Sequence, residues 1–448
     1  MEEINLKNLS KALNGKIFGT NSSIIKPEAV SIDSRDFLTN KIFIPLKGSR
    51  DGHDFLKQAE ETAMFAISEK ETTLPHIRVK DTSKALKDFA KFYKSLFDLK
   101  TIGITGSVGK TTTKDITHSI LSEKFETVKT IGNYNNEIGL PLTVFNINNK
   151  TEAIVLEMGM NNLGEIHNLA DIARPDIAII TNIGTAHIEN LGSRENILKA
   201  KTEILDYNPK KIILDGDNDM LATLRGKVDA IYYFVEKETE KYSAYNIKNL
   251  GLLGTKVTFK IENVKFDVTI PIPGIHVVRN ALASSICAFY LGVSLSQIIK
   301  GIQSFKLSKD RMDIKNGIND CIIINDTYNA SPQSIIAMLD LLVSQKNENR
   351  NKKIIAILGD MFELGDFSKN LHEEIGRYKS IEELDSLITI GKDSKFIHNI
   401  AKVKIDCHHF NTKQDFFTSK IAKKFKDSII LVKASRGMML EEIVQNLL

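Results

Sequence analysis

One segment governs the predicted architecture of this chain: Gly103-Ile104-Thr105-Gly106-Ser107-Val108-Gly109-Lys110-Thr111-Thr112-Thr113. The residues just before its turn, Lys100–Ile104, predict a short strand. The residues after it, Lys110–Glu123, carry apolar side chains at helical spacing and predict a helix. A helix that begins directly after a glycine-rich turn directs free backbone N–H groups and the positive end of its dipole at the turn. The segment therefore predicts a strand–turn–helix unit that binds an anion.

The turn has the composition of a phosphate-binding loop in a short form. The longer form of this motif has glycine five positions before Gly109, where this chain has Ile104. A chance glycine turn before a helix is therefore an alternative interpretation. We interpret the turn as a loop that holds a nucleoside triphosphate. Lys110 would supply a positive charge to the phosphates, and the Thr111 hydroxyl would be a ligand for magnesium.

The composition is that of a globular protein with more than one domain. The chain has 448 residues, 42% hydrophobic and 26% charged, so two or three domains are expected. The 60 basic and 56 acidic residues nearly balance, which argues against a nucleic-acid-binding protein. There is no apolar run of about 18 residues, no signal-peptide pattern, and no cysteine spacing typical of disulfides or zinc. We expect a cytoplasmic protein without a membrane span.

Changes in pattern along the chain predict an α/β protein of three domains. Residues 1–97 form a small α/β domain with short strands and glycine turns. Residues 98–308 alternate β-branched runs with helical patterns, which predicts a parallel sheet with helices on its faces. The predicted strands of this sheet are Thr101–Thr105, Ala153–Leu156, Ile177–Thr181 and Lys211–Leu214. Alternating runs at Val257–Ile261 and Phe266–Ile270 predict a small antiparallel addition to it.

The remaining residues, 309–448, predict a second parallel sheet of the Rossmann-like kind. Strand-like runs again alternate with helical patterns, and polar residues again follow the strands. The predicted strands are Cys321–Asn325, Lys353–Leu358, Leu387–Ile390 and Ile429–Val432.

Polar residues that follow the strands of the central domain form the candidate catalytic group. Glu157 ends the second of these strands, His187 follows the third, and Lys201 lies on the next helix. Because ligands of parallel sheets lie beyond the carboxyl ends of the strands, these residues are expected to face the phosphate loop. A carboxylate there can hold Mg²⁺ directly or through water. The alternatives are a helix cap or salt bridge for Glu157 and a structural role for His187.

Loop residues of the first domain are candidates for substrate binding. Ser34 and Arg35 lie at the end of a predicted strand, where binding groups are common. The Arg35 guanidinium can pair with a phosphate, whereas a surface salt bridge is the alternative.

A series of further motifs supports one family. In chain order they are Gly132-Asn133-Tyr134-Asn135-Asn136-Glu137-Ile138-Gly139-Leu140-Pro141, Glu157-Met158-Gly159-Met160, Ala173-Arg174-Pro175-Asp176, Thr181-Asn182-Ile183-Gly184-Thr185-Ala186-His187, Leu191-Gly192-Ser193-Arg194-Glu195, Asp326-Thr327-Tyr328-Asn329-Ala330-Ser331-Pro332, Gly359-Asp360-Met361-Phe362-Glu363-Leu364-Gly365 and Ser435-Arg436-Gly437-Met438. Together with the loop they resemble the ATP-dependent Mur ligases of bacterial cell-wall synthesis, over nearly the whole chain. In that family the loop has the short form Thr-Gly-x-x-Gly-Lys-Thr, so Ile104 is no departure from it. The pattern is most similar to the branch that joins D-alanyl-D-alanine to UDP-N-acetylmuramoyl-tripeptide.

The resemblance implies a role for each domain and for individual residues. The first domain would bind the UDP part of the substrate, the central one ATP and Mg²⁺, and the last would complete the ATP site and receive D-Ala-D-Ala. The implied catalytic residues are Lys110, Glu157, His187 and Lys201. The implied ATP contacts are Gly106, Ser107, Val108, Gly109, Lys110, Thr111, Thr112, Asn280, Arg311, Asp326 and Asn329. The implied substrate contacts are Ser34, Arg35, Asn135, Asn136, Ser435 and Arg436.

The resemblance also implies a set of magnesium ligands. Thr111 and Glu157 would coordinate one Mg²⁺ ion, and His187 a second. Lys201 matches a lysine that is carbamylated in related ligases, and a carbamate has carboxylate-like oxygens that suit the metal, whereas a free ammonium would repel it.

Three positions differ from common family patterns. Val108 stands where asparagine is usual, so the loop loses a polar side chain but keeps its backbone N–H groups, and we expect altered affinity with activity retained. Val277 also stands where asparagine is common. Asn329 stands where other Mur ligases have histidine, which favours the D-Ala-D-Ala branch.

Other functions are compatible with parts of the pattern. Another Mur ligase or a folylpolyglutamate synthetase-type ligase would add a single amino acid with the same chemistry. A nucleotide switch would use the same loop, but the Asp-x-x-Gly element of such switches is not found in the sequence. A noncatalytic relative is disfavoured because the loop lysine, Glu157 and Lys201 are all present. We expect the protein to act as a monomer on small-molecule substrates.

Overall fold

A computed structural model describes residues 1–307, 311–348 and 351–448. Across these residues the strands form three larger sheets, of five, nine and six strands, and one two-stranded pair. The larger sheets follow one another along the chain, which is the expected α/β architecture. None of the described helices combines the length and the apolar content that crossing a membrane requires.

The first sheet is formed by residues before position 79. Strands β1–β7 are Ile4–Asn5, Lys16–Phe18, Ile24–Ile25, Ala29–Ser31, Lys41–Phe43, Ala63–Ser68 and His76–Arg78. Helices α1–α3 are Leu6–Ala12, Leu56–Ala59 and Thr82–Lys94. The five-stranded sheet has the order β2-β7-β6-β5-β4, with β2 antiparallel to β7 and the other pairs parallel. Strand β1 pairs with β3 separately.

The central sheet contains the segment that governs the architecture. Strands β8–β16 are Lys100–Thr105, Thr127–Lys129, Ala153–Glu157, Ile177–Ile180, Lys211–Asp215, Ile231–Val235, Tyr242–Asn249, Thr255–Ile261 and Val264–Ile270. Helices α4–α11 are Lys110–Leu121, Gly139–Val144, Glu165–Ala173, Ile188–Leu191, Arg194–Thr202, Asp219–Ala222, Ile275–Tyr290 and Leu295–Ser304. The strand order is β16-β15-β14-β13-β12-β11-β8-β10-β9.

The position of β8 in this sheet creates the site. Strand β8 lies between β10 and β11 and is parallel to both. Strands β10 and β11 are buried along their whole length, because helices cover both faces of the sheet. The carboxyl ends of the three strands therefore meet at one edge, where β8 leads into the glycine-rich turn and α4.

The antiparallel addition is continuous with the main sheet. Strand β14 pairs in parallel with β13 and antiparallel with β15, which in turn pairs with β16. Sequence patterns predicted β15 and β16 but not β13 or β14. The run Ile231–Val235 is rich in the aromatic and β-branched residues that favour strands and was overlooked, whereas polar residues interrupt the alternation in Tyr242–Asn249.

The third sheet is formed by the last part of the chain. Strands β17–β22 are Asp313–Asn316, Ile322–Asp326, Lys353–Gly359, Ser386–Ile390, Cys407–Phe410 and Ser428–Lys433. Helices α12–α16 are Pro332–Glu348, Ser368–Arg377, Ser394–Ala401, Lys413–Ser419 and Glu441–Leu447. The order is β17-β18-β22-β19-β20-β21, with β17 antiparallel to β18 and the other pairs parallel.

The domain boundaries stay predictions. The boundary at 97/98 falls in the connection between α3 and β8. The boundary at 308/309 lies outside the described residues.

Helix α3 joins the first sheet to the central one. It packs against α5 and α6. The fully buried Tyr93 hydroxyl donates to the carbonyl of Ile147 at 2.8 Å and accepts from the backbone N–H of Glu2 at 2.8 Å. Burial raises the pKa of Tyr93 to about 12, so the hydroxyl stays protonated and able to donate.

We predict that Tyr93→Phe lowers the free energy of unfolding by about 1–3 kcal/mol, because the carbonyl of Ile147 and the N–H of Glu2 lose a buried partner. Unfolding in urea, followed by fluorescence, measures this change in its first transition. Tyr134→Phe is the control, because Tyr134 is 49% exposed. Equal shifts for the two variants would contradict the prediction.

Candidate active site

Two glycines allow the turn to approach its neighbours closely. Gly106 has φ of +147°, and a Cβ atom there would lie 1.9 Å from Thr181 Oγ1. Gly109 has φ of +87°, and its Cβ would lie 2.8 Å from Asn280 Oδ1. Since L-residues rarely adopt these backbone conformations, glycine is required at both positions for conformational and steric reasons.

The neighbouring strand β11 holds the turn in place through two residues at its end. Thr181 Oγ1 and Asn182 Nδ2 both donate to the carbonyl of Val108, at 2.6 and 2.9 Å. Asn182 Oδ1 accepts from the N–H of Val108 at 3.0 Å, and its carbonyl accepts from the N–H of Ser107 at 3.0 Å. The Val108 backbone, rather than its side chain, therefore sets the shape of the turn.

The loop lysine is folded onto the turn. Lys110 Nζ donates to the carbonyl of Gly106 at 2.8 Å and lies 3.4 Å from the carbonyl of Ser107. Burial lowers the pKa of Lys110, and the nearby Glu157 carboxylate opposes that shift. An anion beside Lys110 would offer its ammonium a stronger, charge-assisted acceptor than these carbonyls.

Glu157 presents one carboxylate oxygen without a partner. Its side chain is 2% exposed, and Oε1 accepts from Asn135 Nδ2 at 2.8 Å. Its backbone N–H donates to Thr130 Oγ1 at 3.0 Å, which fixes the end of β10. Oε2 is buried and makes no hydrogen bond to any described residue. A buried carboxylate oxygen without a donor is a candidate ligand for a cation.

Asn135 and Glu157 are held against each other at the end of β10. The carbonyl of Asn135 accepts from the N–H of Gly159 at 2.8 Å. A Cβ atom at Gly159 would lie 3.0 Å from the Asn135 amide carbon. The structure thus places Asn135, predicted as a substrate contact, where it orients the Glu157 carboxylate.

His187 contacts the third part of the chain. Its backbone has φ of +64°, and it lies directly before α7. Nδ1 lies 2.7 Å from Glu363 Oε2, on the loop after β19. The close approach of His187 lowers the pKa of Glu363.

Lys201 is buried without a partner. It lies on α8 and is 1% exposed, and among the described residues no group forms a hydrogen bond or ion pair with its amine. Burial lowers its pKa well below the usual value, and the Lys110 charge adds to the shift. Burial of this kind favours the uncharged form of the amine over the ammonium.

The residues of the site could hold Mg²⁺ only if the phosphates of a bound nucleotide supply further ligands. In the described ranges, no group of three or more His, Cys, Asp or Glu side chains is arranged to hold a metal ion. Mg²⁺ is usually bound by one or two carboxylates, with phosphate oxygens and waters completing its shell. The 3% exposed Thr111 hydroxyl, the free Glu157 oxygen and the His187 ring are donors of the appropriate kinds.

A cavity of about 620 Å³ joins these groups to the third sheet. The turn and α4 line it from one side, together with Glu157, His187 and Asn280. The predicted residues that line it from the third part of the chain are Arg311, Asp326, Asn329, Ser435 and Arg436. Asn135 and Asn136 also line it, whereas Gly106 and Lys201 are not among its lining residues.

Two residues that sequence reasoning did not select, Lys433 and Tyr328, lie on the third-sheet wall of the cavity. Lys433, 2% exposed at the end of β22, donates to Asp326 Oδ2 at 2.6 Å and to the carbonyl of Asn329 at 2.7 Å. The guanidinium of Arg311 lies 4.0 Å from the centre of the Tyr328 ring. Lys433 and Tyr328 both follow predicted strands, so the rule that identified Glu157 could have found them.

A second set of residues that sequence reasoning did not select lies on the wall of the cavity that the central sheet and its helices form. Arg279 on α10 donates to Asp215 at the end of β12 and to Asp217, at 3.0 and 2.9 Å. Burial lowers the pKa of His276, on the first turn of α10, to about 4, so its imidazole is neutral. Asp215 follows the predicted strand directly and was detectable by its position, whereas Arg279 had no sequence signal of its own.

The predicted residues of the first domain do not line the cavity. Ser34 donates to Gln58 Oε1 at 3.0 Å. Arg35 forms a two-point ion pair with Asp33, at 2.9 and 2.8 Å, and its side chain is 79% exposed. Their role in binding a substrate stays a prediction.

Family models match most of the chain. The model described as Mur ligase middle domain matches residues 104–288. The model described as Mur ligase, glutamate ligase domain matches residues 310–436. The chain therefore belongs to the Mur ligase family.

Relatives and solved structures agree over nearly the full length. A Bacillus subtilis (strain 168) protein named UDP-N-acetylmuramoyl-tripeptide--D-alanyl-D-alanine ligase is 36% identical over 99% of this chain and 98% of its own. An Escherichia coli (strain K12) protein of the same name is 29% identical over 100% and 99%. The fold is similar to MurF from Acinetobacter baumannii, with a TM-score of 0.89, 30% identity and coverage of 100% and 99%. It is also similar to MurF from Thermotoga maritima in complex with ADP, with a TM-score of 0.81, 28% identity and coverage of 93% and 96%.

We predict that Asn135→Ala weakens Mg²⁺-dependent nucleotide binding about 10- to 100-fold, because the partners that orient a metal ligand contribute on this scale. A titration of Mn²⁺ in the presence of a non-hydrolysable ATP analogue measures the effect. Asn136→Ala is the control from the same loop, since the Asn136 side chain accepts backbone N–H groups of its own turn instead. An unchanged metal affinity in Asn135→Ala would refute the orienting role.

We predict that Lys201→Met stabilises the ligand-free, CO₂-depleted protein at pH 7, because the uncharged side chain removes the free-energy cost of burying an ammonium group. The pKa of Lys201 is lower in the folded than in the unfolded chain. Folding therefore costs free energy below the unfolded pKa of about 10.4, and this cost disappears as the pH rises toward that value. Urea unfolding at pH 7 and pH 10 should show a difference between variant and parent that shrinks at the higher pH.

Proposed function

We propose that this chain is the ATP-dependent ligase that joins D-alanyl-D-alanine to UDP-N-acetylmuramoyl-tripeptide in peptidoglycan precursor synthesis. The observation that carries the proposal is the cavity in which the phosphate loop and the unpartnered Glu157 oxygen face Arg311 and Lys433 of the third sheet. The full-length similarity to ligases of that name supports the choice of substrates.

The central sheet would bind the triphosphate of ATP. The turn and the first residues of α4 present backbone N–H groups and the positive end of the helix dipole to the phosphates. Lys110 would leave the carbonyls of Gly106 and Ser107 and pair with the β- and γ-phosphates. Its ammonium would then stabilise the charge that spreads over the transferred phosphoryl group.

Four residues would hold magnesium. They are Thr111, Glu157, His187 and, if it is carbamylated, Lys201. When bound, the metal neutralises phosphate charge and polarises the transferred group. A neutral, buried Lys201 amine can add CO₂ to give a carbamate, and the absence of a carboxylate partner among the described residues leaves it free to do so.

The third domain would complete the ATP site and bind the dipeptide. We assign Asn280 and Asn329 to the adenine and Arg311 and Asp326 to the phosphate and ribose parts. The pairing of Lys433 with Asp326 holds that carboxylate at the cavity wall. The positions of Ser435 and Arg436 on the same wall suit the incoming dipeptide.

The order of bond changes follows from the chemistry of amide formation. The terminal carboxylate of the tripeptide would attack the γ-phosphate of ATP, which gives an acyl phosphate and ADP. The neutral amine of D-Ala-D-Ala would then attack the acyl carbon, release phosphate and give up a proton to a base or to water. Because water would hydrolyse the acyl phosphate, the walls supplied by the central and third domains protect it.

We assign the UDP part of the substrate to the first domain, residues 1–97, with Ser34 and Arg35 as contacts. The Arg35 ion pair with Asp33 is exposed, so a diphosphate can compete for the guanidinium at little cost. We place the enzyme in the cytoplasm and expect it to act as a monomer.

The choice of amine tests the proposal. The protein would be incubated with ATP, Mg²⁺, either the diaminopimelate or the lysine tripeptide nucleotide, and D-Ala-D-Ala or a single amino acid. We expect phosphate release and a pentapeptide product, identified by mass, with the dipeptide. Lys110→Ala should reduce this rate by about 10²–10³-fold or more, as loss of one charge-stabilising donor does in such sites.

Two outcomes would contradict the proposal. Release of phosphate with a single amino acid, but not with the dipeptide, would favour a ligase that adds one residue. Near-parent ADP formation by Lys110→Ala would refute the role of the loop.

A further inference from the structure

A pair of buried charges on α4 takes no part in the chemistry described so far. Lys114 and Asp115 are 1% and 2% exposed, and Lys114 Nζ lies 3.3 Å from Asp115 Oδ1. The same carboxylate oxygen accepts from Lys129 Nζ, at the end of β9, at 2.8 Å. Because burying an ammonium group is costly unless it is paired and hydrogen-bonded, the contacts of Lys114 indicate what the charge is used for.

The ammonium of Lys114 is bonded to the segment that follows β9. Nζ donates to the carbonyl of Thr130 at 3.0 Å, and both residues are buried. Lys114 lies one helical turn after Lys110 and Thr111, on the same face of α4, because residues three and four apart on a helix are neighbours. The bond therefore joins the helix that begins at the phosphate loop to the segment after β9.

The segment that begins at Thr130 holds Glu157 from two sides. Thr130 Oγ1 accepts from the N–H of Glu157 at 3.0 Å, and the Asn135 amide donates to Glu157 Oε1 at 2.8 Å. The N–H of Thr130 also donates to the carbonyl of Val155 at 3.0 Å. A shift of this segment would therefore move the Glu157 carboxylate, whose Oε2 makes no hydrogen bond to a described residue.

The charges around Lys114 allow its ammonium to be removed without isolating a buried carboxylate. Asp115 is paired with both Lys114 and Lys129, so it keeps a cation when Lys114 is replaced. Burial lowers the pKa of His118, one turn further along α4, to about 4, so its imidazole is uncharged at neutral pH. An uncharged side chain at position 114 is therefore compatible with the charges that surround it.

We propose that Lys114 is a positioning residue that fastens residues 130–135 to α4 and thereby sets the distance between Thr111 and Glu157. The inference rests on the proposed roles of these two residues as magnesium ligands, and it adds a residue that acts on one of them through its neighbours. Mg²⁺ requires near-octahedral geometry with oxygen ligands at about 2.1 Å, so a displaced Glu157 carboxylate would bind it poorly.

A direct effect of the Lys114 charge on the phosphates of ATP is the competing explanation. Such an effect would weaken nucleotide binding whether or not a metal is present. A positioning role changes only the metal-dependent part, because the loop amides and Lys110 still contact the phosphates. Lys129→Met is the matched control, since it removes one positive charge from the same cluster and its side chain bonds to Asp115 instead of the Thr130 carbonyl.

The experiment measures metal and nucleotide binding separately, so that it does not depend on turnover. Electron paramagnetic resonance follows Mn²⁺ in the presence of a non-hydrolysable ATP analogue, and calorimetry follows the analogue without metal. We expect Lys114→Met to weaken Mn²⁺ binding by about 10- to 100-fold and to leave metal-free binding of the analogue close to that of the parent. Lys129→Met should match the parent in both. Lys114→Arg should bind Mn²⁺ more tightly than Lys114→Met, because its guanidinium can still donate to the carbonyl.

A second variant tests the same connection from its other end, and it does so even if Lys114→Met does not fold. Thr130→Val removes the hydroxyl that accepts from the Glu157 N–H but keeps the carbonyl that Lys114 contacts. We expect a loss of Mn²⁺ affinity on the same scale. The double variant of Lys114→Met with Thr130→Val should lose less than the sum of the single losses, because both changes act on the position of Glu157. Additive losses, or unchanged Mn²⁺ binding in Thr130→Val, would contradict the connection.

The remaining outcomes separate the positioning role from the proposed function. Unchanged Mn²⁺ binding in a folded Lys114→Met protein would refute the positioning role, as would equal losses with and without metal or equal losses in Lys129→Met. Glu157→Ala is the reference for the metal assignment. Unchanged Mn²⁺ binding in that variant would refute the assignment and the positioning role with it. A loss in Glu157→Ala without one in Lys114→Met would refute the positioning role alone.

Turnover gives a second readout that a general structural defect would not produce. The Mg²⁺ concentration for half-maximal ligation by Lys114→Met should rise by about the same factor as the Mn²⁺ dissociation constant, on the order of 10- to 100-fold. A lower maximal rate with an unchanged Mg²⁺ requirement would contradict the proposal.

Discussion

The absence of a side chain at Gly106 is the constraint on which the site depends. Only a hydrogen fits between the turn and Thr181, since a methyl group would be 1.9 Å from the hydroxyl oxygen. This contact lets Thr181 and Asn182 bond to the backbone of Val108. The neighbouring strand thereby sets the direction in which α4 begins, and with it the positions of Lys110 and Thr111. The shape of the phosphate loop is thus determined by two adjacent strands rather than by the loop sequence alone.

Much of the architecture follows from patterns that act over short distances. The runs in Ala153–Glu157 and Ile177–Ile180 are continuously apolar because helices cover both faces of the sheet, and such runs are recognisable in a sequence. The rule that ligands collect at the carboxyl ends of parallel strands then locates Glu157 without knowledge of the fold. Strand β9 gave a weak signal because it is only three residues long, whereas β13 was overlooked although its aromatic and β-branched residues favour a strand.

The parts of the site that could not be predicted depend on contacts between distant residues. Whether Arg35 pairs with a neighbouring carboxylate or stays free is decided by Asp33 two residues away, and the sequence allowed both. Asn135 was predicted as a substrate contact from its motif, but its bond to Glu157 could not be predicted because it requires two loops to meet. The contact of Glu363 with His187 joins residues of two sheets, and local pattern carries no information about such pairs.

The way in which α3 is anchored limits how the molecule can rearrange. The Tyr93 hydroxyl links the backbone of Glu2 to Ile147, which lies in the loop between α5 and β10, and the rings of Phe89 and Phe145 pack beside it. Helix α3 thereby links the first sheet to the central one, whereas the third sheet faces the central one across the cavity. The nucleotide end of a long substrate would then bind to a part of the molecule that does not move. Only the third domain, which supplies the second reactant, would need to change position.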